Sequence, residues 1–482
     1  MKLNDFFRTT SRFFLDNFFL KLAFLEKTSN IVSQFQKNKI VSEPKNLFYL
    51  PNRKNKYNSS MKQLSLKISA IAMISMAMGC GKPGTGGQLV GAPTNLNYNA
   101  PVPLGMVYVP SGVLKMGASD EDIRGRNDAA IRTTQMTGFW MDATEISNAE
   151  YRQFTNWVRD SIAHTILGDF IDDADGNQRV DFRRKVNFTD PDVQDQLSTL
   201  YVPAEQSGWG KKEFDNSKLN YGFETFDYHE SVNNPSQPRS SFVKKYAPIN
   251  IYPDTSVWMK MFTYSYNEPI AMQYNWYPAF NNYPVVGVNY FQSQAFCNWR
   301  TNSWRSEREK TKQFFEGDFR IPNEQQWEWA ARGGRNESPY PWGGPYLLNR
   351  KGCYLANFKP QRGNYAADGG LYTVPVDKYW PNDYGLYNMS GNVSEWTSTL
   401  YYGSAYSTVS DVNPDVQQRL RENDPQWLRR MAVRGGSWRD VAYYLQVSSR
   451  DWEYADTAKA YIGFRCIYQR VSESVTNSPF RK

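Results

Sequence analysis

The stretch GLYNMSGNVSEW, residues 385–396, reads as neither strand nor helix over most of its length. Gly385, Asn388, Gly391 and Asn392 are turn formers that tolerate left-handed backbone angles, and they interrupt what apolar content there is. A lone carboxylate, Glu395, then stands beside Trp396. A sharp glycine-rich turn lets several carbonyl oxygens converge on one point, which is what a hard cation needs. The same residues would also serve a chain that only packs, with Glu395 accepting N–H bonds, and both readings stay open on this stretch alone.

Around it, three helices announce their own starts. In SNAEYRQFTNWV, Ser147 and Glu150 form a capping box, and Tyr151, Phe154 and Val158 fall on one helical face. A second helix is expected from Asn289 with Phe291, Ala295 and Trp299 inward. A third, in PNEQQWEWAARGG, is capped by Asn323 with Gln326, packs Trp327, Ala330 and Ala331, and stops at Gly333. GMVYVPSGVLKMG suggests short strands about a Pro-Ser-Gly turn. Residues 163–283, rich in Tyr, Asn, Asp and Pro and poor in periodicity, read as an elaboration lying over the core and as an interaction surface. A further insertion at 400–432 ends in the charged run RLRENDPQWLRR, read as a short helix.

The chain has 482 residues, 40% hydrophobic and 16% aromatic, enough for a sizeable core. Its net charge of +8 does not point to nucleic acid. Residues 1–60 carry eleven Lys/Arg against four Asp/Glu, and Lys62 and Lys67 add two more, which leaves residues 81–482 at −1. MKQLSLKISAIAMISMAMGC, 61–80, has the order of a secretory signal: lysines, an apolar run too short to span a bilayer, then Gly79-Cys80, which resembles a lipobox with Cys80 as the lipidated residue. Residues 1–60 then read as an upstream extension before the better start at Met61, 61–79 as signal peptide, 80–103 as a flexible Gly/Pro/Asn tether, 104–470 as the folded domain and 471–482 as a tail.

Export fits the cysteine use. With Cys80 set aside, Cys297, Cys353 and Cys466 remain, without C-x-x-C spacing, which excludes a zinc ribbon or a thioredoxin-type motif. His164 and His229 are the two histidines and there is no G-x-S-x-G, so a Ser-His-Asp hydrolase or His-ligated zinc enzyme has little to be built from. Asp172, Asp173 and Asp175 in IDDADGNQ look like half a calcium loop, but the glutamate that completes one is missing and a solvated turn is the better reading.

Eight blocks carry a family resemblance by their order: GMVYVPSGVLKMG, FWMDATEISNAEYRQF, YPVVGVNYFQSQAFCNW, FRIPNEQQWEWAARGG, YPWG, VPVDKYWPNDYGLYNMSGNVSEWTS, VRGGSW and IGFRC. Over about 104–470 the chain resembles the formylglycine-generating-enzyme (sulfatase-modifying factor) domain. The resemblance implies an α+β, C-type-lectin-like fold of low regular secondary structure, held together by aromatic packing and structural calcium. It places one Ca²⁺ on Ser390, Gly391 and Val393 carbonyls with the Glu395 carboxylate, and another on Asn357, the Phe358 carbonyl, Asp368 and the Gly370 carbonyl. Against the second set stands an Asx turn at Asp368. The resemblance also implies a disulfide between Cys297 and Cys466, with two packed free thiols as the alternative, and Cys353 left over.

The family's oxidase chemistry depends on two copper-binding thiols after RGGS-aromatic. The corresponding positions are Asp440 and Leu445, and no cysteine lies between Cys353 and Cys466. Copper(I) needs soft ligands, so no copper cofactor, no catalytic residue and no conversion of a substrate cysteine are expected. Arg434, Arg450 and Arg465 in the shared blocks are expected to pair with carboxylates in the core.

GKPGTGGQLVGAP after Cys80, then MDATEISNAEYRQFTNWVRDSI leading into the long Tyr-rich insertion, resemble the gliding-motility and type IX secretion lipoproteins of Bacteroidota. That implies a lipid-anchored protein on the periplasmic face of the outer membrane. It would self-associate in a ring with a GldN/PorN-like subunit and would have no nucleic-acid partner. A sister lipoprotein of the same machinery and a calcium-dependent glycan- or peptide-binding surface lipoprotein are the alternatives.

Overall fold

The computed structural model describes residues 102–469, apart from 119–127, 173–175, 177, 204, 206–211, 266–267, 314–316, 417–419 and 421–423. The chain divides into two units, Met1–Thr94 and Asn95–Lys482, and the described residues belong to the second. The extension 1–60, the signal 61–79, Cys80, the tether up to residue 101 and the tail 471–482 lie outside the described residues, as do Asp173 and Asp175.

All three capping boxes form. In helix α1 (Asn148–Leu167) the Ser147 hydroxyl accepts the Glu150 N–H at 3.3 Å, and the Glu150 carboxylate accepts the Ser147 N–H at 2.8 Å. Helix α2 (Tyr290–Lys310) and helix α3 (Glu324–Arg332) begin the same way, with Asn289/Gln292 and Asn323/Gln326. Gly333 ends α3 in the left-handed region that favours glycine. Tyr151, Phe154, Val158, Trp327, Ala330 and Ala331 are buried as the spacing predicts. The face of α2 is rotated from its expected position. Ala295 is buried, but Phe291 and Trp299 are half-buried while Tyr290, Ser293, Phe296 and Cys297 turn inward. The reason is a neighbour invisible to periodicity: Asn298 bonds Tyr221 and the Glu224 carbonyl, so a hairpin from the long insertion occupies that flank.

Strands β1 (Met106–Val109), β2 (Gly112–Met116), β3 (Arg132–Met136) and β4 (Phe139–Asp142) precede α1; β5 (Phe170–Asp172), β6 (Gln178–Val180), β7 (Asn220–Phe226) and β8 (Val243–Asn250) follow it. Then come β9 (Phe319–Arg320), β10 (Ser394–Leu400), β11 (Arg430–Arg434), β12 (Asp451–Tyr454), β13 (Ile462–Gly463) and β14 (Ile467–Tyr468). One four-stranded sheet runs β1-β4-β14-β9 and another β12-β11-β10-β13, while β2-β3, β5-β6 and β7-β8 are hairpins. The class is α+β, as expected. Between the elements lies an aromatic core in which Tyr151 stacks on Phe296 at 5.6 Å and Phe464 meets both edge-on.

The insertion boundaries need correction. Helix α1 runs to Leu167, so residue 163 lies inside its last turn. Residues 163–283 do more than lie over the core: Leu219, Phe223 and Ile251 are part of it, and Val257, Trp258, Ile270 and Tyr274 form a cluster of their own with Val286 and Val393. At the second insertion, the charged run makes a 3₁₀ turn at Gln426–Leu428, and strand β11 starts at Arg430, before residue 432. Its earlier part sends Tyr406 into the interior, where the hydroxyl bonds Glu328.

The core also holds paired charges. Arg434 bonds Glu324 at 3.1 Å and Glu328 at 2.6 Å, Arg332 bonds Glu328 at 2.7 Å, and Arg450 bonds Glu324 at 2.6 Å, all fully buried. Burial alone would raise the Glu328 pKa, but Arg332 and Arg434 override it and hold it down to about 2. The folded state therefore binds this proton later than the unfolded chain does. The stabilisation is complete above the ordinary carboxylate range and is lost as pH falls from about 4.5 towards 2. Melting temperature should fall steeply across that interval. Glu328→Gln, which strands two guanidinium groups, should cost about 3–5 kcal/mol at neutral pH by chemical denaturation.

Candidate functional site

The turn before β10 closes only because of its residue types. Gly391 has φ +85°, and a Cβ there would sit 2.3 Å from the Asn357 carbonyl oxygen. Asn388 and Asn392 also have positive φ, a conformation asparagine tolerates better than most residues. Their amides are thereby aimed inward into one buried network. Asn392 donates to Glu145 Oε1 at 3.0 Å and accepts from Val374 N–H at 2.9 Å. Asn388 donates to Glu145 Oε2 at 3.1 Å and to the Val376 carbonyl at 2.9 Å. Asn357 donates to the Tyr372 carbonyl at 2.8 Å and to Asn392 Oδ1 at 3.3 Å, and its own carbonyl accepts Asn392 N–H.

This network leaves two oxygens over: Asn357 Oδ1 and Asn388 Oδ1 are buried with no hydrogen-bond partner. Flipping either amide does not help, because each NH₂ already faces two acceptors. Glu145, at the centre, is fully buried and pushed up to about 8, first by burial, with Arg465 pulling it down and Glu395 pushing it further up. Electronegative atoms thus outnumber donors here.

Of the eight positions expected to hold calcium, the two sets fare differently. Asn357 supplies the oxygen that lacks a donor, and the point where a Gly370 Cβ would be built lies 2.9 Å from it. Asp368 accepts Phe358 N–H at 2.7 Å and Gly370 N–H at 3.1 Å, the Asx geometry set against a metal in the sequence reading, and burial pushes its pKa up. Each carboxylate oxygen still has a lone pair to give. Asn357 and Asp368 therefore both keep oxygen lone pairs of the kind a hard cation takes. In the set on Ser390, Gly391, Val393 and Glu395 the carboxylate is already engaged. Arg465 grips Glu395 with two bonds of 2.7 and 2.6 Å, Trp327 Nε1 adds a third at 2.7 Å, and the Ser390 hydroxyl donates to the Leu445 carbonyl at 2.7 Å. The countercharge of Glu395 is a guanidinium. In the same turn, the oxygen that wants a partner belongs to Asn388, which sequence reasoning missed together with Glu145. The available signal was a second acid following Asp142 in FWMDATEI and the asparagines at 388 and 392.

The positions corresponding to the redox thiols lie on one loop. Asp440 Oδ2 accepts the Ser437 N–H at 3.0 Å and its hydroxyl at 2.5 Å, and burial pushes its pKa up. Leu445 is fully buried with Tyr340, Ala356 and Phe358. Between them and the long insertion, Trp438 is covered: Trp258 lies nearly parallel to it at 5.9 Å, Phe262 at 6.2 Å, and Tyr372 edge-on at 5.5 Å.

Cys297 and Cys466 are buried free thiols in this structure, with sulfurs 3.4 Å apart, whereas a bond needs about 2.05 Å. The expected bridge is thus unformed here, although the pair is in contact. Cys353 is exposed. His164 is buried and bonds Asp169 at 2.9 Å, and Asp172 is the last residue of β5, which pairs with β6. Among the described residues no group of three or more His, Cys, Asp or Glu side chains converges on a point.

Known proteins agree with the resemblance. The chain is 25% identical over 415 residues to the formylglycine-generating enzyme of Mus musculus, covering 82% of this chain and 87% of that one. It is 26% identical over 372 residues to the Thermomonospora curvata enzyme, covering 75% and 92%. A Bos taurus protein named inactive C-alpha-formylglycine-generating enzyme 2 is 32% identical over 190 residues, 38% of this chain and 50% of that one. Among solved structures, PvdO from Pseudomonas aeruginosa aligns with a TM-score of 0.40 at 16% identity, over 76% of this chain and 94% of that one. Residues 95–470 match the sulfatase-modifying factor enzyme 1-like domain, and the chain belongs to that family.

Proposed function

We propose that the chain is a non-catalytic lipoprotein of the GldK/PorK type. Lipidated at Cys80, it sits on the periplasmic face of the outer membrane and assembles with a GldN/PorN-like subunit into the ring of the type IX secretion and gliding-motility machinery. On this reading the domain keeps the C-type-lectin-like fold of its family and has lost the redox centre. One observation carries the loss: Asp440 and Leu445 occupy the thiol positions, one engaged with Ser437 and the other sealed among aromatic side chains. Neither is a soft ligand for copper. The cover of Trp258 and Phe262 over Trp438, and a relative named inactive, support the same reading.

The long insertion is the candidate ring interface. Tyr264, Met272, Trp276 and Tyr277 stand exposed on it, and large aromatic and methionine side chains are what interfaces favour. A closed ring needs two different complementary faces on each subunit. Calcium, when bound, would act as a structural ion held by Asn357, the Phe358 and Gly370 carbonyls and Asp368, taking up the Asn357 side-chain oxygen that otherwise lacks a donor.

Three measurements check this. Purified chain given copper(I), oxygen and a cysteine peptide that the mouse enzyme converts should yield no formylglycine, and turnover would refute the loss of chemistry. Affinity purification from detergent-solubilised outer membrane should give ring particles with a second subunit by negative stain, whereas a lone monomer would refute the assembly. Calcium at a hundredfold its Kd should stabilise the EDTA-stripped chain by about 2.7 kcal/mol, an effect lost in Asp368→Asn.

A further inference from the structure

Residues 338–367 carry four cations, Arg350, Lys351, Lys359 and Arg362, and no carboxylate. The same segment walls a groove of about 610 Å³ together with the loop after Asp440. Tyr346, Leu348, Tyr365 and Val441 line it and stand exposed, Tyr346 at 76%. Lys359 lies over the Tyr365 ring at 4.8 Å. Among the described residues neither Lys359 nor Arg362 has an ion-pair partner.

The walls are built rather than loose. Trp342 stacks on Tyr340 with centroids 5.0 Å apart and donates from Nε1 to the Tyr346 carbonyl at 2.8 Å. Leu355 N–H bonds the Leu347 carbonyl, Leu348 bridges Tyr354, and Lys359 N–H bonds the Asp440 carbonyl. The buried Phe358 forms the floor, packed with Leu445. An apolar, aromatic groove of this size with a few convergent charges has the form of a binding site.

We infer that this groove binds an acidic peptide segment of a partner protein, an apolar side chain entering between Tyr346 and Val441 while flanking carboxylates meet Lys359 and Arg362. Charge complementarity favours the carboxylate-bearing ligand. A neutral glycan finds no carboxylate in the lining and one side-chain amide, Gln361, so the apolar walls favour peptide over sugar. The inference concerns the folded domain and stands whether or not the chain belongs to a secretion ring.

The test is selection of a phage-displayed random peptide library on the full chain, followed by fluorescence anisotropy with the winning synthetic peptide. Selected peptides should be enriched in Asp/Glu beside Leu, Phe or Trp. Binding should weaken about tenfold or more in Lys359→Glu/Arg362→Glu, and also in Val441→Asp, with melting temperatures unchanged, and should fall with added salt. Three results would overturn the inference: peptides no more acidic than the library, unchanged affinity in the charge-reversed variant, or binding of sodium polygalacturonate with no peptide selected.

Discussion

The fork between Glu395 and Arg465 is the contact on which the architecture depends. It joins the start of β10, just after the glycine-rich turn, to the segment between β13 and β14, across 70 residues of sequence, with both groups excluded from water. The same guanidinium also bonds the Asp142, Ala143 and Tyr387 carbonyls, so one side chain gathers the end of β4, the turn and the last strand around a point. A second centre, formed by Glu324 and Glu328 with Arg332, Arg434 and Arg450, repeats the device around α3. Buried pairs of this kind add little net stability over apolar packing, but removing one partner is severe, so they fix which elements meet.

The two centres differ in their balance of acids and bases. Around the turn, Glu145, Glu395 and Asp142 face Arg465 and Arg300, and Glu145 is pushed towards its neutral form by burial. Around α3, three guanidinium groups meet two carboxylates. The acid-rich side is also where the Asn357 and Asn388 oxygens lack donors. Hydrogen-bond counting thus puts the unmet oxygens on Asn357 and Asn388, away from the Glu395 carboxylate.

What could be read from sequence was local. Each helix start was legible because a capping box is complete within four residues, and the buried arginines were legible because an isolated guanidinium in an apolar block needs an acid. The partner was not, since Glu395 and Arg465 are far apart in sequence and nothing in GNVSEW distinguishes a metal ligand from an ion-pair acceptor. The face of α2 was misread because the β7-β8 hairpin, whose own residues alternate irregularly, shields one flank. The long insertion looked unstructured because its contributions to the core are single aromatics, such as Phe223 and Trp258, carried on short elements. Glu145 was hidden in a block whose apolar neighbours drew attention elsewhere.

The account stands or falls on Glu395 being an ion-pair partner that organises the fold. A double-mutant cycle on Glu395→Gln and Arg465→Met, read by denaturant unfolding in EDTA, tests it directly. Each single change should destabilise by about 3–5 kcal/mol, and the double change by far less than their sum, giving a coupling of at least about 2 kcal/mol. Effects that add to within about 0.5 kcal/mol would contradict the account.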